Sequence, residues 1–336
     1  MERADRSKAS NGRGIVRHIV TLPTLEDVRA AARRIESHTH RTPVMTSTRL
    51  NEELGIEAFF KCENLQKAGA FKARGATNAV MNLDDDAAAR GVVTHSSGNH
   101  GAALAYAAKA RGIPCVVVMP DDALAIKVAA VRGYGAEIVL CTRTQREAAC
   151  RKETDERGMT LIHPFEDSRV IAGQGTVALE LLDQVERLDL VIAPVGGGGL
   201  LSGTALTVSS LAPGTPVWGA EPEAVDDAHR SLESGTLQPA PKNPSSWGDG
   251  LLTGLGKKPF AILKSRGVRV VTVDEQAMLQ AAWTLARRLK LIVEPSGATV
   301  LAALRRQSDA WRGKRVGAIL SGGNTDFRWI KSLLDS

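Results

Sequence analysis

Short, continuous apolar runs alternate with helix-like runs along most of this 336-residue chain, and no other feature restricts the fold as much. Residues 91–95, 115–119, 137–141, 190–195, 217–220, 269–273 and 316–320 each read as a strand, with helix-like segments near 101–111, 124–133 and 146–157. A strand that is apolar on both faces needs cover on both, and strands separated by helices run parallel. The expected fold is therefore α/β: two open, mainly parallel twisted sheets flanked by helices. Ligands of such sheets sit beyond the carboxyl ends of the strands. Three of those ends are unusually polar or glycine-rich: Ser96-Ser97-Gly98-Asn99-His100, Gly196-Gly197-Gly198-Gly199 and Ser321-Gly322-Gly323-Asn324. A site is expected where these loops converge. Residues 238–258, rich in Pro, Gly and Ser, read as a long loop, and 327–334 as a short amphipathic helix.

Composition narrows the classes of function. Apolar residues make up 43% of the chain, enough for a sizeable core, while aromatics at 4% are too few for a platform that stacks single-stranded nucleic acid. Half of the net charge of +6 lies at the start, where Arg3, Arg6, Lys8, Arg13 and Arg17 face only Glu2 and Asp5, and the rest is spread along the chain. With no basic stripe elsewhere, residues 1–22 read as a disordered tail rather than a nucleic-acid arm. Cys62, Cys115, Cys141 and Cys150 show no CxxC spacing and are expected as free thiols of a reducing, cytoplasmic compartment. No apolar segment reads as a secretory signal or a membrane span.

Two segments carry the chemistry. Phe60 to Ala76 sets Lys72, between Phe71 and Ala73, at the start of a helix after a β-like run. The four glycines 196–199 follow the apolar run 190–195. A glycine-rich turn between strand and helix offers backbone N–H groups to a phosphate. A reactive lysine beside such a cup suits pyridoxal 5'-phosphate bound as a Schiff base.

From about Leu22 onward the chain resembles fold type II (tryptophan synthase β-like) pyridoxal-phosphate enzymes, in particular the serine racemase and serine/threonine dehydratase family. The resemblance rests on Ala70-Phe71-Lys72-Ala73-Arg74-Gly75-Ala76, the 96–101 loop, Ala172-Gly173-Gln174-Gly175-Thr176, the tetraglycine and the 321–324 turn. It implies a large cofactor-binding domain of residues 23–90 and 167–336, a small domain of residues 91–166, and a homodimer. It makes Lys72 the Schiff-base lysine and base at the substrate Cα. Phe71 would pack on the ring, Asn99 bond its hydroxyl, Gly196, Gly197, Gly198 and Gly199 hold its phosphate, and Ser321 face its nitrogen. A serine in that place leaves the nitrogen neutral and favours prompt loss of a β leaving group over a long-lived carbanion.

Ser96, Ser97, Asn99 and His100 would take the substrate carboxylate, with Thr253 adding a hydroxyl. Ser97 also stands where the racemase branch has a second base opposite the lysine, and dehydratases with the same loop exist. Arg146 matches an arginine that reaches the far side of the substrate and suits a second carboxylate; alone, it reads equally as a solvated residue of a charged helix. Glu221 and Asp227 lie on one turn and suit a hard divalent cation (Mg, Mn or Ca) as well as they suit a helix N-terminus. The resemblance adds the Val225 carbonyl to that set. Nucleotide-activated members carry a glutamine where Ala102 stands here, and no regulatory domain is expected after the 321–324 turn.

The expected activity is that of an ammonia-lyase converting threonine, serine or threo-3-hydroxyaspartate to a 2-oxo acid and ammonia by Lys72-mediated α,β-elimination. The alternatives are a serine or aspartate racemase with Lys72 and Ser97 as opposed bases, a dehydratase of a larger hydroxylated amino acid, and a β-replacement enzyme. The partner is a small amino acid, not nucleic acid or membrane.

Overall fold

The computed structural model describes residues 22–96, 98–123 and 125–334. Among the described residues ten strands form two sheets: β1 (Val44–Met45), β2 (Glu57–Cys62), β3 (Val92–His95), β4 (Cys115–Pro120), β5 (Glu137–Cys141), β6 (Thr160–Leu161), β7 (Leu190–Pro194), β8 (Val217–Pro222), β9 (Arg269–Val273) and β10 (Arg315–Leu320). The first sheet has the order β1-β2-β10-β7-β8-β9 and the second the order β5-β4-β3-β6. Every pairing is parallel except that of β1 with β2. β4 and β7 are buried along their whole length, as strands covered on both faces must be. The two-residue strands β1 and β6 are too short to leave a periodic signal in the sequence. The expected tail falls almost wholly on residues 1–21, outside the described residues.

Three helices set the geometry of the site, and glycines set their spacing. Lys72–Met81 and Gly199–Leu211 both dock on Ser168–Gln184. A Cβ on Gly173 would lie 2.6 Å from the Gly75 Cα, and one on Gly203 2.5 Å from the Gly175 backbone nitrogen. The Ala172–Thr176 motif is thus buried inside a helix, where its glycines let two other helices approach closely. That approach places the start of the Lys72 helix beside the start of the Gly199 helix. Lys72–Met81 also spans toward the second sheet, where Ala76, Ala79 and Val80 share a core with Ala103, Leu104 and Ala107.

The carboxyl end of β10 fixes Lys72 further. Ala70 forms a bridge with Gly322, Phe71 N–H donates to the Ser321 carbonyl at 3.0 Å, and Gly323 N–H donates to Gly69 at 2.9 Å. Gly69 takes φ +71°, and a Cβ there would sit 2.2 Å from Asn324 Oδ1. Only glycine fits that position. The segment 238–258 runs as irregular chain with one 3-10 turn, Asp249–Leu251, before a helix begins at Lys257. The C-terminal amphipathic segment is a helix from Arg328, with Trp329 buried. All four cysteines are free, and only Cys141 is not fully buried.

Candidate active site

The three polar strand ends converge on one cavity of about 320 Å³. Phe71, Lys72, Ser96, Asn99, His100, Arg146, Gly196, Gly197, Gly198, Gly199, Thr253 and Ser321 all line it. Ser97 lies outside the described residues.

Lys72 opens its helix with no side-chain cap, and its Nζ donates to the Pro164 carbonyl at 3.1 Å while lying 5.1 Å from the centre of the Phe71 ring. Among the described residues, no carboxylate pairs with it. Burial without a counter-ion disfavours the ammonium form and lowers the lysine to about 8. A substantial share of the amine is therefore uncharged near neutral pH, as a nucleophile and base requires.

The tetraglycine turn leads from β7 into the helix Gly199–Leu211. Gly198 adopts φ +89°, and no side chain caps the helix. Among the described residues, the N–H groups of Gly196 to Gly199 meet no acceptor. Buried donors aimed at a cavity want an anion there, and a phosphate at a helix N-terminus meets that need. The lysine, the uncapped cup and Ser321 at the end of β10 thus fit pyridoxal phosphate.

Gly98 leads into the helix Asn99–Arg111, which also lacks a side-chain cap. Its open N–H groups and the helix dipole suit a carboxylate. The His100 ring does not add a donor to this cup. Its Nε2 donates to the Ile162 carbonyl at 3.1 Å, which leaves Nδ1 as a buried acceptor without a partner. Burial, with Lys72 nearby, lowers this histidine to about 3, so it stays neutral. Asn99 is held at both ends of its amide: Nδ2 donates to Glu294 Oε1 at 2.8 Å, and Oδ1 accepts from Asn324 Nδ2 at 2.9 Å.

Several residues here escaped the sequence reading. Glu294, 4% exposed, faces the same cavity, and burial pushes its carboxyl up to about 8. His95 and His163 line the wall near Arg146. None sits in a repeated or spaced motif, although Glu294-Pro295-Ser296 begins a helix and could have drawn notice. Lys127 and Asp249 pair across the mouth.

Glu221, Val225 and Asp227 lie apart from this cavity, at the carboxyl end of β8. Glu221 accepts from Ala228 N–H at 3.1 Å and His229 N–H at 2.9 Å, and Asp227 accepts from Leu255 N–H at 2.7 Å. Burial pushes Glu221 up to about 9, with repulsion from Asp227 adding to it, and burial raises Asp227 as well. No group of three His, Cys, Asp or Glu side chains able to hold a metal occurs among the described residues. Two neighbouring buried carboxylates with a backbone carbonyl and water suit a hard cation, which would relieve their repulsion.

Comparison with known proteins agrees with this chemistry. The family profile of pyridoxal-phosphate dependent enzymes matches residues 35–322. The chain is 49% identical to a serine racemase of Dictyostelium discoideum over 93% of its own length and 98% of that protein's. It is equally identical, at 49%, to a beta-hydroxyaspartate dehydratase of Paracoccus denitrificans, over 91% and 98%. The crystal structure of the Dictyostelium serine racemase superposes with a TM-score of 0.87, covering 91% of this chain and 99% of that one at 50% identity. The chain belongs to the pyridoxal-phosphate dependent enzyme family.

Proposed function

We propose that the chain is a pyridoxal-phosphate-dependent ammonia-lyase that dehydrates a β-hydroxy L-amino acid, with threo-3-hydroxyaspartate as its best substrate and serine and threonine as weaker ones. The observation that carries this reading is a single cavity holding an amine without a counter-ion, Lys72, between two uncapped helix N-termini, with Arg146 on its wall. The likeness to the Paracoccus dehydratase supports it. We also propose that residues 23–90 with 167–336 act as the large domain and 91–166 as the small one, since all four strands of the second sheet fall within the latter segment.

When bound, pyridoxal phosphate supplies a carbonyl carbon for the amine and an electron sink for charge at Cα. The chain supplies the rest. Gly196 to Gly199 would hold the phosphate, and Phe71 would flank the ring. Asn99, its amide fixed by Glu294 and Asn324, would bond the ring hydroxyl. The Ser321 hydroxyl would face the ring nitrogen, and unlike a carboxylate it would not hold a proton on that nitrogen. The α-carboxylate sits at the open N-terminus of the helix Asn99–Arg111, with Ser96 and Thr253 near it. Lys72 Nζ takes the Cα proton. The β-hydroxyl takes up a proton and leaves as water, and the released enamine tautomerises to an imine that one water hydrolyses to a 2-oxo acid and ammonia. Arg146 receives the second carboxylate. Glu221, the Val225 carbonyl and Asp227 would hold a divalent cation that stabilises the fold around β8 and takes no part at Cα.

The test is 2-oxo acid release from cofactor-loaded enzyme on L-threo-3-hydroxyaspartate, L-serine and L-threonine, with magnesium and with chelator. Wild type is expected to prefer hydroxyaspartate, and Arg146→Ala to remove that preference, cutting kcat/KM on it about 10–100-fold. A preference for serine or threonine that Arg146→Ala leaves alone overturns the substrate assignment. The likeness to the Dictyostelium racemase favours a second activity, racemisation, with Ser97 as the opposed base. Ser97→Ala should then stop racemisation of L-serine while elimination continues.

A further inference from the structure

We propose that His163, with His95 beside it, determines specificity by donating a hydrogen bond to the far carboxylate of a dicarboxylic substrate. This rests on the reading of the cavity as a hydroxyaspartate site and extends it to two residues that no motif marks.

The tautomer of His163 follows from its own turn. Nδ1 accepts from Phe165 N–H at 3.4 Å and from Glu166 N–H at 3.1 Å. A nitrogen that accepts carries no proton, so the proton of the neutral ring is on Nε2. Among the described residues no protein group accepts from Nε2, and the ring lines the cavity. Burial first, then His95 and Lys72, lower His163 to about 4, against a smaller pull from Asp167. At neutral pH the ring is a fixed, uncharged donor.

The turn that carries it is pinned on three sides. The Pro164 carbonyl accepts from Lys72 Nζ at 3.1 Å. The Phe165 ring lies on the tetraglycine cup so closely that a Cβ on Gly197 would be 2.2 Å from it. Glu166 accepts from the backbone N–H groups of Lys257 and Lys258. The turn His163–Glu166 thus joins the His163 donor to the reacting amine through Pro164 and to the phosphate cup through Phe165.

His95, at the carboxyl end of β3, meets His163 edge-on, with ring centres 5.4 Å apart. Burial and the Arg146 charge hold His95 below its ordinary range, with Glu147 opposing. His163 thus neighbours both Lys72 and His95, and His95 neighbours Arg146, all four lining the one cavity. Asp167, the acid behind His163, is engaged by Arg169 at 2.7 Å. A wall of donors suits a carboxylate, which accepts at two oxygens. Serine and threonine have no group to place there, so the wall separates substrates rather than serving the elimination itself.

The test variant is His163→Asn, whose Oδ1 can accept as Nδ1 does while nothing stands at the Nε2 position. The readouts are kcat/KM on L-threo-3-hydroxyaspartate and on L-serine, and the Kd of succinate, an unreactive dicarboxylate, by calorimetry on cofactor-loaded protein. Expected are a loss of about 10–100-fold on hydroxyaspartate, a loss on serine at least tenfold smaller, and weaker succinate binding. His163→Gln, which returns a donor near that place, should recover part of the ratio. Equal losses on both substrates, or an unchanged ratio with unchanged succinate affinity, overturn the proposal. If Arg146→Ala still removes the preference when His163→Asn does not, the role of His163 falls and the substrate assignment stands.

Discussion

Two groups of buried charges lie on either side of the helix Lys72–Met81, and they behave in opposite ways. In the first, Arg74 is wholly buried and donates to Glu63 at 2.8 Å and to Glu180 at 2.7 Å, while the buried Lys61 donates to Glu180 at 2.6 Å and to Gln184 at 2.8 Å. Burial opposes every charge there, yet the partners overcome it for Arg74, which is held above its usual range, and for Glu180, held below. Two residues earlier in the chain, Lys72 has one carbonyl and no counter-ion, and is driven toward its neutral form. His163 and Glu294 are neutralised in the same cavity by the same cause. The opposite charges keep Arg74 and Glu180 ionised and tie β2 to the helix Ser168–Gln184, although burial still lowers Lys61 beside Glu180. Burial without an ion pair leaves Lys72 an amine that can attack, and keeps the proton on Glu294 even though Asn99 donates to it.

Lys72→Ala offers the sharpest break. Turnover on every substrate should fall by roughly 10⁴-fold or more, because nucleophile and base are one group. The folded state loses the bond to the Pro164 carbonyl and the packing of the lysine stem, but also the cost of burying the amine. The melting temperature of the apoenzyme should hold or rise. The wild-type apoenzyme should also gain stability relative to this variant as pH rises from about 8 to 10.5, where the unfolded lysine still binds a proton that the folded one has released. A variant that turned over normally would remove Lys72 from the mechanism.

Arg74→Met should do the reverse. It leaves Glu63 buried, and Glu180 half-buried beside Lys61, without their guanidinium, a loss of about 3–5 kcal/mol in folding free energy. Denaturant melts would show it, and the residual folded enzyme should keep its substrate preference. If Arg74→Met were as stable as wild type while Lys72→Ala unfolded, the contrast between paired and unpaired charges would be wrong.

The sequence showed one half of this contrast better than the other. Strands covered on both faces gave the α/β class, and β5 and the helix Arg146–Arg157 fall on the residues expected for them. The loops at 96–100, 196–199 and 321–324 were conspicuous because glycine, serine and asparagine cluster at strand ends. The Ala172–Thr176 motif was visible, but not its packing role, which depends on a contact with Gly75 some hundred residues away. His95, His163 and Glu294 were invisible for a related reason. Each is a single polar residue whose meaning comes from partners distant in the chain: Glu294 bonds Asn99 across 195 positions, and His95 meets a ring on another strand's turn. Local pattern records the elements and the backbone cups, whereas protonation is set by what the fold excludes.

Glu294→Gln makes the smallest and most specific change. Glutamine keeps an oxygen for Asn99 Nδ2, so the amide that lines the cavity stays oriented, while the titration is gone. In the wild type, burial, and then Asp249, push the carboxyl up to about 8, against the Asn99 bond and Lys127. Above pH 4.5 the unfolded chain releases this proton and the folded protein retains it, so the folded state binds more protons and stability declines as pH rises toward 8. The variant lacks that decline. Thermal melts of the two proteins between pH 5 and 8 should therefore separate steadily, with Glu294→Gln gaining on wild type as pH rises. Parallel curves would mean that Glu294 ionises freely in the fold, and that a partner for it lies in the cavity after all.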